Sequence, residues 1–127
     1  MDIPKTREYY SKITRENICS CVYCQNFIDE VKNAYPEAAA FLSALGADIE
    51  KPFEVFLPLD PTDGYMDYFG VQYLICGSSE GFEDTKAGDI SFFVTPAHPS
   101  AAYKGEYFVI QSQSFHIKCR YDKYNFD

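Results

Sequence analysis

The spacing of apolar residues changes once along this chain, at Pro52, and that change limits the folds open to it. Before Pro52 apolar residues recur at helical intervals; after it they alternate. Cys21, Cys24, Ile28, Val31 and Tyr35 follow at steps of three or four, which puts them on one face of a helix. They predict a helix over about 21–34, with Ser20 placed as its N-cap. Pro36 stops that helix and suits the first turn of a second over 36–45, where Ala38, Phe41, Leu42 and Leu45 form the apolar side. Gly46 supplies the C-terminal stop, and Ile49 is placed to pack back on it. Residues 20–46 thus read as a helical pair.

Beyond Pro52 the pattern is that of strands. Residues 53–57 read as a strand, and 60–64 (DPTDG) as a turn built from residues that preset or tolerate turn geometry. Residues 65–76 read as one long strand or a bulged pair, with Gly70 as the bulge. Polar loops are expected at 77–89 and 96–105, with a strand over 90–95 between them. Residues 107–121 read as one strand, or as two interrupted at 111–114. In the second half Phe115, Ile117, Cys119 and Tyr121 alternate with His116, Lys118 and Arg120, one face buried and one wet. Helices followed by strands predict an α+β fold. It has an N-terminal helix pair, then an antiparallel, twisted sheet of four to six strands over 52–121. With 127 residues and neither repeat nor linker, one domain over 1–127 is expected, opening on a polar segment over 1–18.

The stretch 65–76 is apolar on both faces. Two short helices cover only one face of a sheet. The other needs the N-terminal segment, the loops, a second subunit or a ligand, and a homodimer is one expected answer. Charge narrows the partners further. The net charge is −8, and acids and bases nearly balance in residues 1–18 and 91–127, so the excess of acid lies in the middle of the chain. That argues against nucleic acid, which requires a basic surface, and leaves either a basic protein as a partner or simply a solvated acidic surface. No apolar run is long enough to cross a membrane and the first residues lack the apolar stretch of a secretion signal, so a cytoplasmic location is expected.

In that compartment five cysteines read as thiols or metal ligands before disulfides. Cys19, Cys21 and Cys24 fall within six residues at the predicted start of the first helix. Three readings are open. Cys21 and Cys24 have the spacing of a zinc-binding pair and Cys19 adds a third sulfur; a fourth ligand has to come from Cys119, His116, His98 or Cys76. Alternatively, a thiolate at a helix N-terminus is stabilised by unpaired N–H groups, which suits redox chemistry. The polar stretch 12–18 before the motif is unlike the buried strand that precedes a thioredoxin-type dithiol. Or the cysteines are core, since Cys21 and Cys24 continue the stripe of Ile28 and Val31.

The run Cys21-x-x-Cys24-x-Asn26-Phe27, followed by Leu42, Leu45-Gly46-x-Asp48-x-x-Lys51-Pro52-x-Glu54-Val55, resembles a set of small uncharacterised bacterial proteins. They share a CxxCxNF motif and an LGxDxxKPxEV-like segment. The resemblance covers about a third of the chain, residues 21–55. It implies a bacterial origin and carries over no activity. It draws attention to Asn26, placed to hydrogen-bond a thiolate or to tie the helix to a neighbouring loop.

Other chemistry-bearing residues are scattered. His98 lies between Pro96 and Pro99 in a loop, and His116 falls on the wet face of the last strand. Glu80, Glu83, Asp84 and Asp89 share one loop, but not at the spacing of a calcium-binding loop. Among the eleven tyrosines Tyr73 reads as core, while Tyr65, Tyr68 and Tyr103 are open between core and recognition surface. No phosphate-binding loop, dinucleotide fingerprint or nucleophile elbow is present. The functional expectation is a small acidic protein-interaction or ligand-binding module without catalysis and without a cofactor. The alternative is a zinc-binding or redox protein built on Cys19, Cys21 and Cys24. A third is an enzyme using His98 or His116 with loop carboxylates.

Overall fold

The alternation after Pro52 becomes seven strands, every pairing antiparallel, in the computed structural model, which describes residues 1–56 and 64–119. Three helices come first: α1 (Ile3–Ser11), α2 (Val22–Ala34) and α3 (Pro36–Ala44). The strands are β1 (Glu54–Val55), β2 (Tyr65–Tyr68), β3 (Val71–Cys76), β4 (Thr85–Ala87), β5 (Ile90–Val94), β6 (Tyr107–Ser112) and β7 (Phe115–Lys118). Five form one sheet in the order β1-β3-β6-β5-β4, and β2 and β7 form a second. The α+β class, the helices α2 and α3 and the antiparallel sheet are as the sequence predicts. Leu57, most of the 60–64 turn, Arg120 and Tyr121 lie outside the described residues.

One ribbon threads both sheets. Residues 65–76 face 107–118 in a single register: Tyr68 stands opposite Phe115 and Val71 opposite Ser112. Each strand leaves two residues unpaired between those points, so no extra residue enters and Gly70 is not a bulge. It marks the junction between the two sheets. A Cβ at Gly70 would lie 2.5 Å from the Phe56 ring, so the glycine lets the residue that follows β1 pack close over this junction. The Ser112 hydroxyl stitches this junction, accepting from the Val71 N–H at 3.2 Å and donating to the Val71 carbonyl at 3.3 Å.

α2 and α3 bury Phe27, Ile28, Val31, Ala38 and Leu42 with Tyr73, Ile75, Ile110 and Phe92 of the sheet. The polar segment over 1–18 contains a helix that apolar periodicity does not show, because α1 buries only Thr6 and Tyr10. It is held by polar bonds instead. The Asp2 N–H donates to the Cys76 carbonyl at 2.8 Å, the Cys76 N–H to the Thr6 hydroxyl at 3.0 Å, and the Tyr10 hydroxyl to the Leu74 carbonyl at 2.9 Å. Asp2, which accepts from the Lys5 N–H, and Pro4 mark its start.

The second face of β3, expected to need covering, is covered by the chain itself. Leu74, Cys76 and Val109 are fully enclosed. Gln72 donates to the Ala97 carbonyl at 2.8 Å, and the ring of Tyr103 meets those of Tyr9 and Tyr107. The loop after β5 and α1 together form this cover. The loop over 77–89 is not wholly irregular, since β4 adds an edge strand within it.

Gly46 ends α3 as expected, at φ 89°, and a Cβ there would stand 2.6 Å from the Ile3 carbonyl. Gly81 has a similar φ of 86° with open space around it. Gly46→Ala is therefore expected to cost about 2–4 kcal/mol and Gly81→Ala only about 1 kcal/mol, read from thermal unfolding.

Candidate thiol site

Cys21, not Ser20, is the N-cap of α2: its backbone is extended (φ −64°, ψ 155°) and its carbonyl accepts the Gln25 N–H at 3.0 Å. No side chain caps this helix end, and its first turn carries no acid. Cys24 follows in that first turn, and Cys19 lies two residues before the cap. The three sulfurs lie within 4.8 Å of one another, close enough to bind one metal ion. Their exposure is graded: Cys19 is exposed, Cys21 half-buried and Cys24 buried.

The thiols differ electrostatically as well. The Cys21 N–H points at the Cys19 sulfur, 3.5 Å away, and this bond, with those from the Cys21 and Cys24 thiols, lowers the Cys19 pKa. Burial pushes the Cys24 thiol well up, and its bonds to the other two cysteines add to the effect. Glu54 on β1 lies within electrostatic reach of Cys19 and opposes the lowering.

Three polar side chains hold the loop that carries Cys19. Arg15 bonds Gln25 at 2.5 Å through Nε and Asp29 at 2.8 Å through a terminal nitrogen. Gln25 in turn donates to the Cys19 carbonyl at 3.0 Å. Sequence reading misses this clamp, because ten and fourteen residues separate Arg15 from its partners and no local pattern marks it. Asn26 ties α2 to β7: its amide donates to the Lys118 carbonyl at 3.0 Å and to the Tyr68 hydroxyl at 3.4 Å. Tyr68 donates to the Tyr23 carbonyl at 2.6 Å, so both residues fix the start of α2 from beneath.

The candidates for a fourth ligand separate. Cys119, buried just after β7, lies with Cys24 and Cys21 in electrostatic reach of the Tyr68 hydroxyl, at the cluster's end of α2. Among the described residues, however, the mutually close group stops at Cys19, Cys21 and Cys24. Cys76 is buried beside Thr6 and Tyr103. His98 has its Nδ1 2.9 Å from the Pro99 carbonyl and its ring near Phe53 and Tyr107. His116 is exposed on the face of β7 opposite Phe115 and Ile117, with Nδ1 2.6 Å from Asp67 and its ring stacked on Tyr65 at 4.5 Å. The loop carboxylates Glu80, Glu83, Asp84 and Asp89 are exposed and form no metal-holding group among the described residues. Tyr73 and Tyr68 are core; Tyr65 and Tyr103 are not fully enclosed.

No helix among the described residues is long and apolar enough to cross a membrane. Comparison with sequence families, with curated proteins and with solved structures finds no match in any of the three. In the metal-free chain at neutral pH, iodoacetamide is expected to label Cys19 first and to spare Cys24 and Cys76 until the protein unfolds. Peptide mass spectrometry reads this, and equal labelling of Cys19 and Cys24 would contradict their graded accessibility.

Proposed function

We propose that the chain is a small ligand-binding protein whose Cys19, Cys21 and Cys24 hold a zinc ion. The supporting observation is the convergence of three sulfurs within 4.8 Å at an uncapped helix start. With Zn–S bonds of about 2.3 Å, tetrahedral sulfurs stand about 3.8 Å apart, so small rotations of these thiols suffice. Three thiolates around a divalent cation leave one net negative charge, which the positive end of α2 favours. The fourth position opens beside exposed Cys19, to water or a small ligand. Soft thiolates select zinc over magnesium or calcium.

A second reading, a protein-interaction module without metal, draws on exposed Phe56, Tyr65 and Phe69 and on the net charge of −8. Its partner is a second copy of the chain or a basic protein, and the reading makes no use of the thiols.

Elemental analysis of protein purified without chelator separates the two. About one zinc per chain is expected, lost in Cys21→Ser and Cys24→Ser and kept in Cys76→Ser, with a fall in unfolding temperature when metal is stripped. Cobalt substitution is expected to give charge-transfer absorption for three thiolates. Binding displaces thiol protons, so loading weakens in acid. A metal-free chain that refuses zinc and cobalt would end the first reading.

A further inference from the structure

A groove of about 720 Å³ opens between α1, the C-terminal end of α2, α3 and the segment 46–51, on other residues than the thiols. Its charge runs against that of the chain. Arg7, Lys32 and Lys51 line it, with Asp48 as the one carboxylate. Residues 19–90 contain only three bases, Lys32, Lys51 and Lys86, and two of them are here. In a protein of net charge −8 a concave site with three cations to one anion is a local reversal, and low-dielectric walls focus such a field.

The cations are also available. Arg7 and Lys32 are exposed and take part in none of the ion pairs among the described residues, whereas Lys5, Lys12 and Arg15 are each paired with an acid. Lys51 is positioned: its ammonium donates to the Tyr10 carbonyl at 3.0 Å, which fixes it at the end of α1 and leaves further N–H donors for a ligand. Asp48 is engaged in its own turn, accepting the Glu50 N–H at 2.9 Å. Asn33 and Ser43 add neutral hydrogen-bonding groups, and Ala39 and Ala40 keep the α3 wall low. The volume is that of a metabolite-sized site.

We propose that this groove binds a small phosphate monoester, its dianion held among Arg7, Lys32 and Lys51 and its hydroxylated body against Asn33 and Ser43. A dianion matches the excess of two positive charges, and a guanidinium pairs with phosphate through two parallel bonds. The proposal does not depend on the thiol site.

The full chain is titrated with glycerol 3-phosphate and with inorganic phosphate, followed by amide NMR. Saturable shifts are expected at Ser43, Gly46 and Ala47, with Kd about 1 mM or tighter and the ester bound more strongly than inorganic phosphate. Arg7→Gln and Lys32→Gln should each weaken binding about fivefold or more without changing the unfolding temperature, since both side chains are exposed. Lys86→Gln, on β4 outside the groove, should leave affinity unchanged. Four results would each overturn the proposal: no saturation below about 10 mM, equal affinity for ester and inorganic phosphate, unaltered binding in both groove variants, or equal weakening by Lys86→Gln.

Discussion

The ribbon made of residues 65–76 and 107–118 holds the rest of the molecule in place. Its register is constant from one sheet to the other, so a slip of one residue would turn Met66, Tyr68, Phe115 and Ile117 outward and expose the core of the second sheet. Each end of the ribbon carries a helix. At the Cys76 end the backbone of β3 takes two bonds from α1, through Asp2 and Thr6. At the other end the Lys118 carbonyl accepts from Asn26 and Tyr68 reaches the Tyr23 carbonyl, which sets where α2 begins. The start of α2, with Cys21 and Cys24, is therefore tied to the second sheet, and the loop carrying Cys19 is held by the Arg15 clamp.

Buried polar groups supply much of this specificity. Thr6, Asn26 and Ser112 are fully enclosed, and each bonds a backbone group of another segment. Leaving such a group unpaired costs about 1–3 kcal/mol, so alternative packings of the same apolar residues are disfavoured. This also explains how α1 holds with so small an apolar face. Its contribution to covering β3 comes from bonds to strand backbone and from the edge-on contact of Tyr9 with Tyr103, not from a hydrophobic stripe.

Where local chemistry decided the outcome, the sequence was legible. The spacing of Cys24, Ile28 and Val31 gave α2, Pro36 and Gly46 bounded α3, and alternation after Pro52 gave an antiparallel sheet. The failures share a cause. α1 has no stripe to read, β4 is a three-residue edge among Gly and Asp, and 65–76 divides between two sheets through its pairing with 107–118. Those are tertiary contacts. At the site, the gathering of three thiols at a helix start was readable from C-x-C-x-x-C, while Arg15, Gln25 and Asp29 were not, since their bonds join segments that only the fold brings together.

Core packing accounts for the cysteines unequally. Cys24 is 4% exposed and faces Phe27 and Ile28 as a small apolar residue would. Cys21 is half-buried, yet it occupies a cap position where Ser, Thr, Asp or Asn satisfies the helix end better, and its thiol makes no cap bond. Cys19 contributes least to the core. It is exposed, held by a clamp of three polar side chains, and turned so that its sulfur meets the Cys21 N–H. A packing role would not need that clamp, and a polar residue would serve an exposed loop equally well. Three thiols of falling exposure, set around the positive end of α2, lie close enough to bind one metal ion, with one in the core, one at the boundary and one facing water.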